Sequence, residues 1–183
     1  MKKNKIIVAL ALVLISFTTA TNAHDGRFSI GAELALPMGD FADGSSMGFG
    51  GSLRYEHPVG DNLGITLTAG YLMFGGKDDG PDFSMIPAQV GAKYYFTGQQ
   101  EGLYGHVMVG IHSMSSDDVI YTDPLTGATV TYETESNTEL SYAPEIGYHL
   151  ANIDLGLRYQ FIATDIETTS YLGIRIAYVF GGN

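Results

Sequence analysis

An alternation of apolar and polar side chains runs through most of the chain after residue 27 and limits what it can fold into. Its last example, YLGIRIAYVF, has an apolar side chain at every second position: Leu172, Ile174, Ile176, Tyr178 and Phe180. Alternation with a period of two is typical of β-strands with one apolar and one polar face. No helical period stands out, so the sequence predicts an all-β domain.

Eight segments of about ten residues carry this alternation: 27–36, 47–57, 63–73, 86–96, 103–113, 139–150, 153–161 and 171–180. Their number and length suit a small barrel whose strands each cross a membrane with about 9–11 residues. Short and long connections alternate between them, which predicts an eight-stranded antiparallel up-and-down transmembrane β-barrel. The third long connection, Ser115–Thr138, has two β-rich arms about a Pro-Gly turn and predicts a protruding hairpin.

The first 23 residues have the three-part layout of a secretory signal peptide. Lys2, Lys3 and Lys5 precede an apolar run of 12 residues, and small residues follow, with Ala20 and Ala23 as possible cleavage positions. A membrane-spanning helix needs about 17–25 residues, so an uncleaved anchor is the weaker alternative. The sequence therefore predicts a signal peptide at 1–23 and a barrel domain at 24–183.

The composition excludes several classes of function. The chain has no cysteine, which rules out disulfides and zinc–thiolate sites. Its net charge is −11, or about −14 without the three leader lysines, and nucleic-acid binding needs a basic surface instead. The 24 glycines and 12 tyrosines favour strands over a helical bundle.

Charged residues within the predicted strands fall on the polar face. They are four acids and four bases: Glu33, Arg54, Glu56, Lys93, Glu145, Asp154, Arg158 and Arg175. The positions between them are rich in Gly, Ser and Thr. Eight strands enclose just enough room for side chains, so the pattern predicts a narrow lumen filled by an ion-pair network rather than an open pore. A gated ion path through this network is the alternative.

Aromatic residues on the apolar face sort to the two strand ends. One set falls toward the short turns: Phe28, Tyr55, Tyr94, Phe96, Tyr148, Tyr178 and Phe180. The other falls toward the long loops: Phe49, Tyr71, Tyr142, Tyr159 and Phe161. Two aromatic girdles around an aliphatic band indicate a barrel in lipid, with Arg175 facing the lumen. A soluble lipocalin-like binder would have its apolar face inward, and it remains an alternative.

The chain resembles the small eight-stranded outer-membrane barrels, the group that includes OmpX and the OmpA membrane domain. The most specific segment is IRIAYVF, which closes on Tyr178 and Phe180 and is followed by Gly-Gly-Asn. The resemblance implies the outer membrane of a diderm bacterium, with lipid and lipopolysaccharide as surroundings. It also implies that Tyr178 and Phe180 form a terminal signal for the outer-membrane insertion machinery.

Candidate catalytic and metal-binding residues are few. His112 and Ser113 are neighbours on a strand and point to opposite faces, so they do not form a nucleophile–base pair. His106 and His149 point inward, and no third ligand accompanies them. The sequence predicts no catalytic residue, metal or cofactor. A lipopolysaccharide-modifying barrel enzyme is the alternative from another functional class.

The long loops are strongly acidic and are opposed only by Lys77. Their acidic residues are Asp40, Asp43, Asp78, Asp79, Asp82, Asp117, Asp118, Asp123, Glu133, Glu135, Glu139, Asp165 and Glu167. Such loops suit divalent cations, alone or as a bridge to anionic lipopolysaccharide. Residues 115–138 also offer a strand edge to a surface protein partner. The predicted role is therefore structural or surface-interacting, carried by the loops.

Overall fold

The structure is a closed barrel of eight antiparallel strands. The computed structural model describes residues 26–77, 80–98, 100–116, 119–122, 129–132, 136–164 and 168–181. The barrel strands are β1 (Arg27–Met38), β2 (Ser45–Pro58), β3 (Leu63–Gly76), β4 (Phe83–Tyr95), β5 (Gly102–Ser116), β8 (Asn137–Leu150), β9 (Ile153–Ala163) and β10 (Thr168–Phe180). Each strand pairs with the next, and β10 returns to β1 to close the barrel. The predicted all-β, eight-stranded antiparallel fold is confirmed.

Two smaller elements lie in the long connections. Strands β6 (Val119–Thr122) and β7 (Thr129–Tyr132) form a separate two-stranded sheet, which confirms the predicted hairpin between β5 and β8. A four-residue helix, α1 (Phe41–Gly44), follows β1 and was not predicted. No helix among the described residues is long and apolar enough to cross a membrane.

The strands extend further toward the long loops than the alternation indicated. They contain 11 to 15 residues, and β3 and β5 continue to Gly76 and Ser116. Glu139, which opens the predicted segment 139–150 and was also counted with the loop acids, lies in β8 opposite His112. Backbone hydrogen bonds between strands continue beyond the part of the wall that contacts lipid. In that outer part the outward side chains do not have to be apolar. The apolar pattern therefore ends before the strand does.

The two faces of the wall are sharply different. Leu53, Val107 and Leu140 are 60–71% exposed on the outside, whereas Arg175 inside is 1% exposed. A continuous belt of exposed large apolar residues is incompatible with a water-facing surface and suits lipid. This orientation excludes the lipocalin-like alternative, in which the apolar face would be turned inward.

The outward aromatic residues lie at the two rims of the belt. Phe28 pairs with Phe180 on one side and Tyr55 on the other, at the short-turn end. At the opposite end Tyr142 pairs with Phe161, and their rings stack 4.8 Å apart. The barrel therefore has an aromatic rim at each end of an aliphatic band, which fixes its height in a bilayer.

Candidate functional site

The polar side chains inside the barrel form one connected set. All eight charged residues named from the sequence are buried there, and Arg27 joins them with 8% exposure. We call these nine residues the interior charge network. Arg27 was not predicted because it opens the first strand, although it shares the parity of Ser29 and Glu33 that marks the inner face.

The end of the network nearest the short turns is built around Arg27 and Glu56. Their side chains form an ion pair of 2.7 Å, and the Tyr95 hydroxyl donates to Glu56 Oε1 at 2.9 Å. Arg27 also donates to the Gln100 carbonyl at 3.0 Å. Lys93 Nζ lies 3.4 Å from Glu56 Oε2. Charges removed from water here are each met by an opposite charge or a hydrogen bond, as burial requires.

The middle of the network crosses the whole lumen. Arg54 on β2 makes a two-pronged contact with Glu145 on β8, with N–O distances of 2.9 and 3.1 Å. These strands are four places apart in an eight-strand ring, so the pair joins opposite walls. Lys93 Nζ approaches Asp154 at 2.5 Å and lies 3.8 Å from the centroid of the Tyr104 ring. The interior at this level is therefore occupied from wall to wall.

The third layer is centred on Glu33. Arg158 lies 2.9 Å from its carboxylate, and Arg175 lies 3.5 Å from it. Ser52 donates its hydroxyl to Glu33 and accepts a 2.8 Å hydrogen bond from Arg175 Nε. Arg158 then donates to the Tyr171 hydroxyl at 3.3 Å, where the charged layers end.

Beyond this layer the lumen becomes apolar. A buried cluster fills it toward the long loops: Ala35, Leu72, Phe74, Met85, Ile162 and Tyr171, with Phe41, Phe83 and Met114 packed against it. The prediction that ion pairs and small residues fill the lumen is wrong at this end, where large apolar side chains fill it. Where the barrel wall stands above the membrane, apolar side chains can close the lumen, as they do in the core of a water-soluble protein.

A cavity of about 220 Å³ opens on the outer side of this cluster. We call it the outer cup. Its lining residues are Phe41, Phe83, Met85, Met114, Ser115, Ser116, Asn137 and Thr169. Aromatic and thioether groups form its floor, and hydroxyl and amide groups form its rim.

The three interior histidines have separate partners. His106 lies opposite Glu145 in the strand register, with a 3.0 Å contact, whereas His149 lies opposite Gly102. His112 is inside and contacts the Tyr171 hydroxyl at 3.3 Å, while Ser113 is on the other face. Among the described residues, no group of three or more His, Asp or Glu side chains is placed to hold a metal ion.

The remaining predicted residues are at the two ends of the barrel. Tyr178 and Phe180 face outward at the end of β10 and are 52% and 44% exposed. Asp40, Asp43 and Asp82 are exposed beside the outer cup lining. The other acidic loop residues named above lie outside the described residues, apart from Glu139: Asp78, Asp79, Asp117, Asp118, Asp123, Glu133, Glu135, Asp165 and Glu167. The predicted leader, 1–23, also lies outside them.

A known family matches almost the entire chain. The outer membrane protein beta-barrel domain matches residues 7–180. The chain belongs to this family. Its place is accordingly the outer membrane of a Gram-negative bacterium, and its strands cross that membrane. No curated protein matches the sequence of this chain.

Solved structures of other outer-membrane barrels share the fold. Ail, the attachment invasion locus protein of Yersinia pestis, was crystallised with the heparin analogue sucrose octasulfate; it is 16% identical, with a TM-score of 0.61 over 87% of this chain and all of Ail. The N-terminal barrel of Pseudomonas aeruginosa OprF is 13% identical, with a TM-score of 0.57 over 86% of this chain and all of that domain. Neisserial surface protein A is 16% identical, with a TM-score of 0.50 over 87% of this chain and 96% of that protein's chain. At these identities the similarity establishes the fold alone.

Proposed function

We propose that this barrel is a structural, surface-interacting protein whose acidic extracellular loops carry its role, without catalysis or a conducting pore. The observation that supports this most directly is the Arg54–Glu145 pair, which joins opposite walls of the lumen. An ion moving through the barrel would have to separate that pair in a low-dielectric interior. The long-loop end is then the part of the molecule available to partners.

The partners of these loops would be cationic. Ail is crystallised with sucrose octasulfate, a polyanion, but the long loops here contain many carboxylates and a single lysine, Lys77. A polyanion would be repelled by such a surface, whereas divalent cations and basic proteins would be attracted. Divalent cations would also link the loops to anionic lipopolysaccharide around the barrel.

A labelled octalysine peptide tests the role of the loops. The barrel is placed in nanodiscs of neutral phosphatidylcholine, and binding is followed by fluorescence anisotropy as salt is increased. A second barrel has residues 117–135 replaced by a short Asn-Gly turn, because Met114 and Asn137 are already paired across β5 and β8. We expect saturable octalysine binding that weakens with salt and falls several-fold in the shortened barrel. Octaglutamate, the matched control, should not bind.

Equal octalysine binding by the intact and shortened barrels would show that the third loop carries no part of the role. Planar-bilayer recordings check the closed lumen separately, and stable single-channel currents would count against it. Comparison of lipopolysaccharide masses with and without the barrel checks the absence of catalysis, since a mass shift would support the enzyme alternative.

Export and membrane insertion complete the proposal. Residues 1–23 would be removed as a signal peptide, which mass determination of the mature chain tests directly. Tyr178 and Phe180 would then present the terminal signal to the insertion machinery. We expect Phe180→Ala to lower the folded, outer-membrane fraction several-fold in cells, measured by gel mobility before and after boiling.

The matched control for this substitution is Phe161→Ala. Phe161 is a lipid-facing aromatic residue of β9 at the opposite rim, so its loss removes a similar apolar area without changing a residue of the last strand. If both substitutions lower the folded fraction equally, Phe180 contributes only apolar area and is not a signal.

A further inference from the structure

The outer cup has no role in closing the lumen, because the buried cluster beneath it already does that. Phe74 and Phe83 are stacked 4.9 Å apart, and Phe41 meets both rings edge-on at 5.3 Å. Phe41 comes from α1, so the first long connection supplies one wall of the cup. Phe41 and Phe83 remain only half-buried at the outer surface.

The size of the outer cup limits what fits in it. An apolar cavity of about 150 Å³ holds a benzene molecule, and pockets for drug-sized ligands are about 300–1,000 Å³. A volume of about 220 Å³ therefore suits one aromatic ring with its linking methylene groups. The aromatic and methionine floor suits such a ring, since both groups contact aromatic rings favourably.

The charge around the outer cup indicates what surrounds that ring. Asp40 and Asp43 flank Phe41, and Asp82 directly precedes Phe83; all three carboxylates are exposed. The aromatic residues of the lining thus stand beside acidic residues in the sequence. Lys77, a basic residue nearby, is exposed and donates to the Ala42 carbonyl at 2.5 Å.

We infer that the outer cup holds one large aromatic side chain of a basic peptide segment from a partner protein outside the cell. The ring fills the apolar floor, the partner backbone reaches Ser116, Asn137 and Thr169 on the rim, and flanking Lys or Arg residues meet the acidic loops. This inference rests on the proposed function and makes it more specific, since it adds an apolar anchor to an electrostatic attraction.

Three capped pentapeptides separate the two contributions: Lys-Lys-Phe-Lys-Lys, Lys-Lys-Ser-Lys-Lys and Glu-Glu-Phe-Glu-Glu. Each is titrated calorimetrically into the intact barrel in neutral nanodiscs, with empty nanodiscs as the blank. We expect the Phe-containing basic peptide to bind about tenfold or more tightly than the Ser-containing one, because burying a phenyl ring is worth at least that factor. The acidic peptide should bind much more weakly than either.

Two tryptophan substitutions on neighbouring residues provide the matched variants. Asn137 lines the outer cup, whereas Thr138 points to the outer wall, toward Ser113. Asn137→Trp should fill the cup and abolish the preference for Phe over Ser, while the Ser peptide still binds. Thr138→Trp adds the same side chain outside the cup and should leave the preference unchanged. A gel-mobility check on boiling confirms that both variants fold.

A third variant, with Asp40, Asp43 and Asp82 all changed to Asn, removes the charge beside the outer cup. The amide at position 82 can still accept the 2.9 Å hydrogen bond from the Gly76 N–H. Both basic peptides should bind more weakly to it, by a similar factor, and the Phe preference should persist.

The outcomes distinguish this inference from the proposed function. Equal binding of the two basic peptides overturns the anchor in the outer cup and leaves the acidic-loop role standing. Retention of the Phe preference in Asn137→Trp also overturns the anchor. Equal binding of the acidic and basic Phe peptides overturns the inference that the partner segment is basic. Failure of both basic peptides overturns the inference and the proposed function together.

Discussion

Arg54→Ala is expected to lower the free energy of unfolding of the barrel by about 3–5 kcal/mol. Arg54 and Glu145 meet in the middle of the lumen and are 2% and 5% exposed. Removal of the guanidinium leaves the Glu145 carboxylate in the interior, in contact with His106 and the Tyr104 hydroxyl but without a cation of its own. A carboxylate that has lost its charge partner in a low-dielectric interior is costly.

The change is measured by urea unfolding of the barrel in phospholipid vesicles, followed by the gel mobility of unboiled samples. Lys77→Ala is the control, since Lys77 is an exposed cation outside the interior charge network, and its loss should matter by less than about 0.5 kcal/mol. The double variant Arg54→Met with Glu145→Leu should recover much of the loss, because it removes both buried charges together. A loss of unfolding free energy in Arg54→Ala no larger than in Lys77→Ala would contradict the wall-to-wall pair.

The two faces of the barrel wall were predictable from the sequence because contact with lipid restricts which residue types can point outward. Every outward position within the bilayer must be apolar, and side chains alternate with a period of two. Parity alone therefore assigned eight charged residues to the inner face, from Glu33 in β1 to Arg175 in β10. The same constraint predicted the strand number and the pairing of neighbouring strands.

The partners within the lumen were not predictable in this way. Glu145 lies directly opposite Arg158 in the strand register, yet its ion pair is with Arg54 on the far wall, and Arg158 pairs with Glu33. Contacts across a lumen depend on strand tilt, stagger and side-chain length, which a one-dimensional pattern does not contain.

The apolar outer end was missed for a different reason. Leu72 and Phe74 have the parity of the inner face, but they follow a run of inward Thr and Gly that suggested a polar lumen throughout. At this end of β3, Leu72 and Phe74 are buried inside while Tyr71 and Met73 remain exposed outside, so both faces of the strand are apolar. The alternation therefore predicts which residues point into the lumen, but it does not predict whether the lumen is polar or apolar at a given level.

Gly147→Ala is expected to lower the free energy of unfolding by about 3 kcal/mol, which is the upper end of the usual range for overpacking. Gly147 lies opposite Tyr104 in the strand register. A Cβ atom at residue 147 would overlap the Tyr104 ring and the Leu155 carbonyl oxygen, and the latter belongs to the backbone. Tyr104 cannot simply move aside, since its hydroxyl donates to Asp154 at 2.9 Å and its ring lies beside the Lys93 ammonium.

Gly105→Ala is the matched control, one position from Tyr104 on the same strand. A Cβ atom there would face outward and meet only the Phe96 ring, at an ordinary distance of 3.4 Å. Its unfolding free energy should stay within about 0.5 kcal/mol of wild type in the same urea titration. If the two variants unfold alike, Tyr104 does not lie over Gly147. If they differ as expected, the interior charge network depends on glycines for room as well as on charges for pairing, because Tyr104 on β5 reaches Asp154 on β9 by passing over Gly147 on the intervening β8.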